Sequence, residues 1–311
     1  MTAMPSAGAA PAASETLRGI VSILLAIALF GVMDAMIKAL ASAYPTAQLV
    51  FFRSCFALLP LGVAVARSGG LGMLKTRRPL AHVARSCAGL GSMACFFASY
   101  ASLPLAEVYA IAFAAPLMLT ALAGPMLGEQ VGWRRWCAVL VGFAGVLVIL
   151  RPGSDVLSAA ALLCLAGTVL YALAMVTIRK LSATETTVSI VFYFTLTCTL
   201  AGAAAMLPAW VTPRSAADLA MLVGTGIVGG LAQLLMTNAF RRAPAATLAP
   251  FEYTGLLWGI SFGWLFFGEW PDSIVFVGAG IVAAAGLYIV HREAVRHRAL
   301  RAGAATAEHP F

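Results

Sequence analysis

Ten apolar runs, each close to the ~20 residues that cross a bilayer as a helix, follow one another along almost the whole chain. They cover about 18–40, 46–66, 79–101, 105–127 and 132–150, then about 156–178, 186–208, 217–240, 245–267 and 272–290. The stops between them are short: Tyr44-Pro45, Ser68-Gly69-Gly70, Leu103-Pro104, Arg151-Pro152-Gly153, Leu207-Pro208, Ala243-Pro244 and Trp270-Pro271. No connection can hold a soluble catalytic domain. With 10% charged residues, against about 25% in soluble domains, the chain reads as an all-α integral membrane protein of ten transmembrane helices.

Lys and Arg placement sets the expected orientation. With the N-terminus cytoplasmic, sixteen basic residues fall inside: Arg18, Arg67, Lys75, Arg77, Arg78, Arg85, Arg134, Arg135, Arg179, Lys180, Arg241, Arg242, Arg292, Arg296, Arg298 and Arg301. Three fall outside, Lys38, Arg151 and Arg214, and Arg53 stands within a span. Both termini are therefore expected in the cytoplasm. The net charge of +8 is a topology and lipid-headgroup signal, and nucleic acid is not an expected partner. Residues 1–17, rich in Ala, Pro and Ser, read as a disordered tail rather than a signal peptide, and 294–311 as a basic cytoplasmic tail. Cys55, Cys87, Cys95, Cys137, Cys164 and Cys198 lack CxxC spacing and read as small buried hydrophobes. No metal or cofactor is expected.

The chain is also duplicated. YASLPLAEVYAIAFAAPLMLTALAGPMLGEQ from Tyr100 lies without gaps over FRRAPAATLAPFEYTGLLWGISFGWLFFGEW from Phe240, so that Pro104 meets Pro244 and Gly128-Glu129 meets Gly268-Glu269. One residue further out of step, Ala144-Gly145 meets Ala285-Gly286 and Phe51-Phe52 meets Phe192-Tyr193. The expected domains are two five-helix repeats, 18–153 and 154–293. Five being odd, the second must enter the membrane from the opposite side, as the charges require. Inverted repeats with a substrate site near the midplane characterise secondary transporters. There is no HExxH and no GxxxxGK[ST], and the expectation is a carrier, not an enzyme; a channel or membrane enzyme is the lesser alternative.

On these residues, with Phe-Phe-Arg at 51–53, Pro116 and the Ala-Pro-Phe-Glu-Tyr run at 249–253, the chain resembles the EamA-type exporters of the drug/metabolite transporter superfamily. It is similar to bacterial exporters of aromatic and other hydrophobic amino acids. The resemblance implies a multi-pass protein of the bacterial inner membrane, with a central cavity lined mainly by spans 1, 3, 4, 6, 8 and 9. Spans 5 and 10 would be peripheral and are sometimes a homodimer contact. Related members carry riboflavin, S-adenosylmethionine or nucleotide sugars, so a flat cofactor taken up from outside is the alternative to an exported amino acid.

Polar groups inside a membrane are expensive and belong on a cavity or a partner. Glu252 can hold a substrate ammonium, carry a proton or tie helices together, and Pro250 before it removes a backbone donor and kinks the helix. Pro116 is the corresponding kink candidate of the first repeat. Gln233, Thr237 and Asn238 on span 8 are amide and hydroxyl candidates for the cavity or for interhelical bonds. Phe30, Asp34 and Lys38 share a stripe of span 1, Asp34 and Lys38 being placed to pair, while Arg53 can pair with Asp34 or snorkel outward. Glu129 and Glu269, at opposite faces, suit paired structural or gate roles rather than direct substrate contact. Phe96, Tyr100, Tyr109, Phe113, Tyr171 and Tyr253 complete the candidate cavity as aromatic walls.

Overall fold

The computed structural model describes residues 13–307 except 68, 129–131, 152–157, 183 and 244. Among these it is all helical: α1 (Ala13–Ala41), α2 (Thr46–Arg67), α3 (Pro79–Tyr100), α4 (Leu105–Ala112), α5 (Ala115–Leu127), α6 (Trp133–Leu150), α7 (Ala159–Leu181), α8 (Thr187–Met206), α9 (Ala216–Arg242), α10 (Ala245–Glu252), α11 (Thr254–Phe267) and α12 (Ser273–Ala307). Eight helical stretches are long and apolar enough to cross a membrane. Neither α3, which carries His82 and Arg85, nor the pair α10 and α11, of which the longer has 14 residues, is among them.

Local signals explain the boundaries. Ser158, Thr186 and Ser215 accept backbone N–H bonds from Ala161, Ser189 and Asp218 and so open α7, α8 and α9. Gly128 and Gly268 stand at φ 69° and 67°, left-handed positions just past α5 and α11. At the second of them Gly268 N–H reaches Trp264 O and Glu269 N–H reaches Gly263 O, which is the reason each Gly-Glu pair begins with glycine. Helical structure extends into both of the expected tails. Helix α1 starts at Ala13, where Glu15 bonds Arg18 and Arg242 at 2.8 and 2.7 Å, and α12 continues to Ala307.

Both broken spans break at equivalent places. Helix α4 ends at Ala112 and α10 at Glu252, positions 140 apart, as the repeat aligns them. The prolines are not equivalent: Pro116 lies in the first turn of α5, after its break, and Pro250 lies inside α10, before its break. Pro250 removes one backbone bond just before its interruption, whereas Pro116, in a first turn, replaces an N–H that has no partner within α5. The interruption itself belongs to the repeat rather than to either proline.

The two copies interlock. Helix α1 packs on α9 and α3 on α7, which are the same pairing seen from each repeat, while α2 lies against α8 and α9 and α6 against α12. Glycines allow the closest approaches. A Cβ built on Gly226 would lie 2.8 Å from Phe52 O of α2, and one on Gly278 would lie 2.8 Å from Gly145 O, so backbones touch across these seams. Cys87 and Cys137 face outward rather than being buried, because α3 and α6 turn those positions away from the bundle.

The symmetry is incomplete. Helix α4 packs on α11 and on α12, whereas among the described residues no comparable packing joins the related α10 to α5 or to α6. The broken spans are thus joined across the repeats at one end of the bundle and not at the other.

Candidate functional site

At the joined end, where α1 finishes, Lys38 Nζ lies 2.9 Å from Glu269 Oε1 and donates to Leu103 O at 2.6 Å. Glu269 Oε2 in turn accepts from the Leu105 backbone N–H at 3.4 Å. A single cation therefore ties the end of α1 to the end of α11 and to the turn before α4. One helical turn deeper, Tyr109 donates its hydroxyl to Asp34 Oδ2 at 2.6 Å. Its ring fills a slot left by glycines, since a Cβ on Gly259 would stand 2.8 Å from it and one on Gly255 3.1 Å. The expected Asp34 to Lys38 pair does not form, because each has a better partner on another helix. Arg151 and Asp272 add a 2.7 Å pair at the same end, and Tyr44 donates to Asp218 while accepting from Arg214 N–H. Burial, followed by the Asp218 carboxylate, raises the Tyr44 phenol above its ordinary pKa.

The opposite end has its own clasp, built from side chains that the sequence did not single out. Glu185, in the turn between α7 and α8, accepts from Thr76 Oγ1 at 3.0 Å and from Arg77 N–H at 3.1 Å and lies 3.7 Å from His82 Nε2. The Tyr193 ring lies 4.7 Å from that of His82 at a tilt of 49°, and its hydroxyl donates to Leu74 O. Burial pushes the Glu185 carboxyl up, but the Arg77 N–H, the Thr76 hydroxyl and His82 outweigh it and hold it below the usual carboxylate range. A lowered pKa stabilises the fold above the ordinary carboxylate value and ceases to do so as pH falls through the folded value. Melting followed from pH 7 down to pH 3 should fall more steeply for the wild type than for Glu185→Gln, and superimposable profiles would remove the clasp from the stability of this end.

Between the ends lie the remaining candidates. Arg53 does not snorkel: it is 6% exposed and borders a void of about 10 Å³ with Phe194, Thr195 and Gln233. Arg85, counted above with the cytoplasmic charges, is 6% exposed within α3, its Cζ 3.7 Å from the Phe194 ring centre. Asp34 and Arg53 stand in each other's field without forming an ion pair. Glu252, at the end of α10, makes no hydrogen bond or ion pair among the described residues and lies in the field of Tyr171, which is 43% exposed, and of Tyr253. Tyr253 meets Phe113 edge-on at 4.9 Å, and its hydroxyl is directed at Gly286 of α12, a helix expected to be peripheral.

The other aromatic candidates are packing residues in this state. Phe30 and Phe96 are half-buried against the main core, and Tyr100 is buried at 5% beside Phe97. On α9, Thr237 is half-buried, while Asn238 is engaged at both amide atoms, donating to Ser22 Oγ at 3.2 Å and accepting from Arg242 Nε at 2.9 Å. Its amide thus bridges α9 to α1. Glu129 lies outside the described residues. Sequence reading missed Arg85, Phe194 and Glu185; the one available signal was that Arg85 stands six residues inside a span.

The profile of the EamA-like transporter family matches residues 17–151 and again 158–291. The chain belongs to this family. Its two matched copies coincide with the duplication, and the chain is a multi-pass membrane transporter. It is 32% identical over 268 residues to the pseudopaline exporter of Pseudomonas aeruginosa, covering 86% of this chain and 94% of that one. It is 29% identical to the riboflavin transporter of Rhizobium johnstonii, over 82% of this chain and 84% of the relative. The S-adenosylmethionine uptake transporter of Rickettsia prowazekii is 28% identical, over 89% and 94%. A solved structure shares the fold at a TM-score of 0.63 and 19% identity, covering 90% of this chain and 99% of that one.

Proposed function

We propose that this EamA-family protein is a ten-span secondary transporter of the bacterial cytoplasmic membrane, with both termini inside, that exports amino acids or amino-acid-like metabolites by alternating access. Counting α4 with α5 and α10 with α11 as one broken span each makes the ten. The observation that carries the reading is the one-sided joining of the two broken spans in a duplicated bundle. Lys38 with Glu269, and Tyr109 with Asp34, latch α1, α4 and α11 at one end, with no comparable joining of α5 and α10 among the described residues. Two related arrangements of one duplicated unit are what exchange when access alternates. With the proposed orientation, the latched end is the outer one and the carrier faces inward. Export is favoured by the pseudopaline exporter among the relatives. Uptake of a flat cofactor is the second reading, favoured by the relatives that carry riboflavin and S-adenosylmethionine.

Counterflow in proteoliposomes tests this. Labelled amino acid outside should accumulate in a saturable way when unlabelled amino acid is loaded inside, and flux that rises linearly at every concentration would instead describe a channel. Competition by riboflavin alone would transfer the assignment to the second reading. Glu252, without a hydrogen-bond or ion-pair partner among the described residues, suits a substrate ammonium or a transported proton. A charge-assisted hydrogen bond contributes about 1.5–3 kcal/mol, so Glu252→Gln should lower transport about tenfold at unchanged expression. Wild-type rates in that variant would exclude Glu252 from the path.

A further inference from the structure

Among the described residues, the bundle interior holds two arginines without an ion-pair partner. Among the described residues, neither Arg53 nor Arg85 makes a hydrogen bond or lies within ion-pair distance of a carboxylate. Arg53 Nε and Arg85 Nε and Nη1 are buried without any hydrogen-bond partner, and both residues are 6% exposed. A guanidinium keeps its charge in any protein environment. Leaving one unpaired inside a membrane is costly, and two within each other's field cost more.

The surroundings are shaped for them. A Cβ on Gly89 would stand 2.7 Å from Arg85 Nη1 and 2.7 Å from the Phe194 ring, so only glycine leaves Arg85 its slot. A Cβ on Gly229 would stand 3.4 Å from Arg53 Nε. Phe194 gives its face to Arg85 and borders the same void as Arg53. The ring orients one guanidinium by cation–π attraction but leaves its in-plane N–H fork unused. The carboxylates nearby are engaged or apart: Asp34 accepts from Tyr109, and among the described residues Glu252 forms no ion pair with either arginine.

We propose that Arg53 and Arg85 form a two-point anion site that binds two carboxylates of one cargo molecule, so that the substrate class is a dicarboxylic amino acid or amino-acid conjugate. The inference rests on the carrier reading above. Each guanidinium fork matches one carboxylate through two parallel N–H···O bonds. The amide of Gln233, on the same void, can bond a third polar group of the cargo. At about 10 Å³ the void holds about one water. Through this void cargo therefore reaches Arg53 only when α8 moves away from α2 and α9, which couples occupancy of the site to the change of access.

The test is a ligand panel on the full-length protein, read by calorimetry in detergent and by counterflow in proteoliposomes. Glutamate and iminodiacetate carry two carboxylates, alanine one and phenethylamine none. The two diacids should bind at least about tenfold more tightly than alanine, with no binding of phenethylamine. Arg53→Gln and Arg85→Gln should each erase that preference, and Arg→Lys at either position should restore part of it, because a lysine supplies the charge without the fork. Equal affinity for diacids and alanine in the wild type would overturn the site, even if neither glutamine variant folds. A folded glutamine variant that keeps the preference would overturn it as well. Saturable counterflow of alanine without diacid preference overturns the arginine site and leaves the carrier standing. Tight diacid binding without counterflow of any probe supports the site and overturns the carrier.

Discussion

Lys38→Met should abolish transport and loosen the latched end of the bundle. Lys38 is 9% exposed and bonds both Glu269 and the Leu103 carbonyl. Methionine keeps the length and apolar bulk while removing the charge that neutralises Glu269. Breaking a buried pair costs about 3–5 kcal/mol, and the 28% exposure of Glu269 sets this case at the lower end. About 3 kcal/mol shifts a two-state equilibrium by roughly two decades, enough to trap the carrier with its proposed outer end open. Cysteine accessibility between α4 and α11 should rise while transport falls to background. Adding Glu269→Gln should recover part of the closure, since removing both partners strands neither charge. If Lys38→Met transports like the wild type with unchanged accessibility, the latch does not control access.

The second large effect is expected from Gly226→Leu. At this point α9 rests on the backbone of α2: a bare Cβ would stand 2.4 Å from Phe56 Cβ, 2.8 Å from Phe52 O and 3.0 Å from Ala57 N. Main-chain atoms in mid-helix cannot step aside one at a time, so the helices must separate. Overpacking of a core costs about 1–3 kcal/mol, and separation of a whole seam sets this change at or above the top of that range. The purified variant should melt well below the wild type and give little folded protein. Gly280→Leu on α12, where a Cβ meets nothing within 4 Å, is the control and should melt like the wild type. Equal melting of the two variants would mean that the seam between α2 and α9 is not closely packed.

Much of the architecture was legible in the sequence because its causes are local. A run of about 20 apolar residues must become a helix, having no other way to satisfy its backbone in hydrocarbon. Proline and glycine punctuation marks where such runs stop, and Gly128 and Gly268 could be recognised because the left-handed position closing each fourth span excludes most other residues. The break inside that span was read through Pro116 and Pro250, yet its equivalence in the two copies is a property of the repeat and needed coordinates to be seen.

Partnerships were not legible. Asp34 and Lys38 stand one turn apart and look like a pair, but Tyr109 and Glu269, 75 and 231 positions along the chain from them, take one each. Arg85 was counted with the loop charges because a span boundary blurs by a turn, and that turn separates a topology signal from a buried cation over Phe194.

The helical membrane class and the duplication thus follow from residue order alone, since apolar runs and a repeated motif can each be read along the chain. Which carboxylate meets which cation, which aromatic ring turns inward, and which end of the bundle closes were settled only in three dimensions. Each successive helical residue rotates by about 100°, so a small change in how two helices pack moves a side chain from the cavity to a neighbour. Nothing in the local sequence records that rotation.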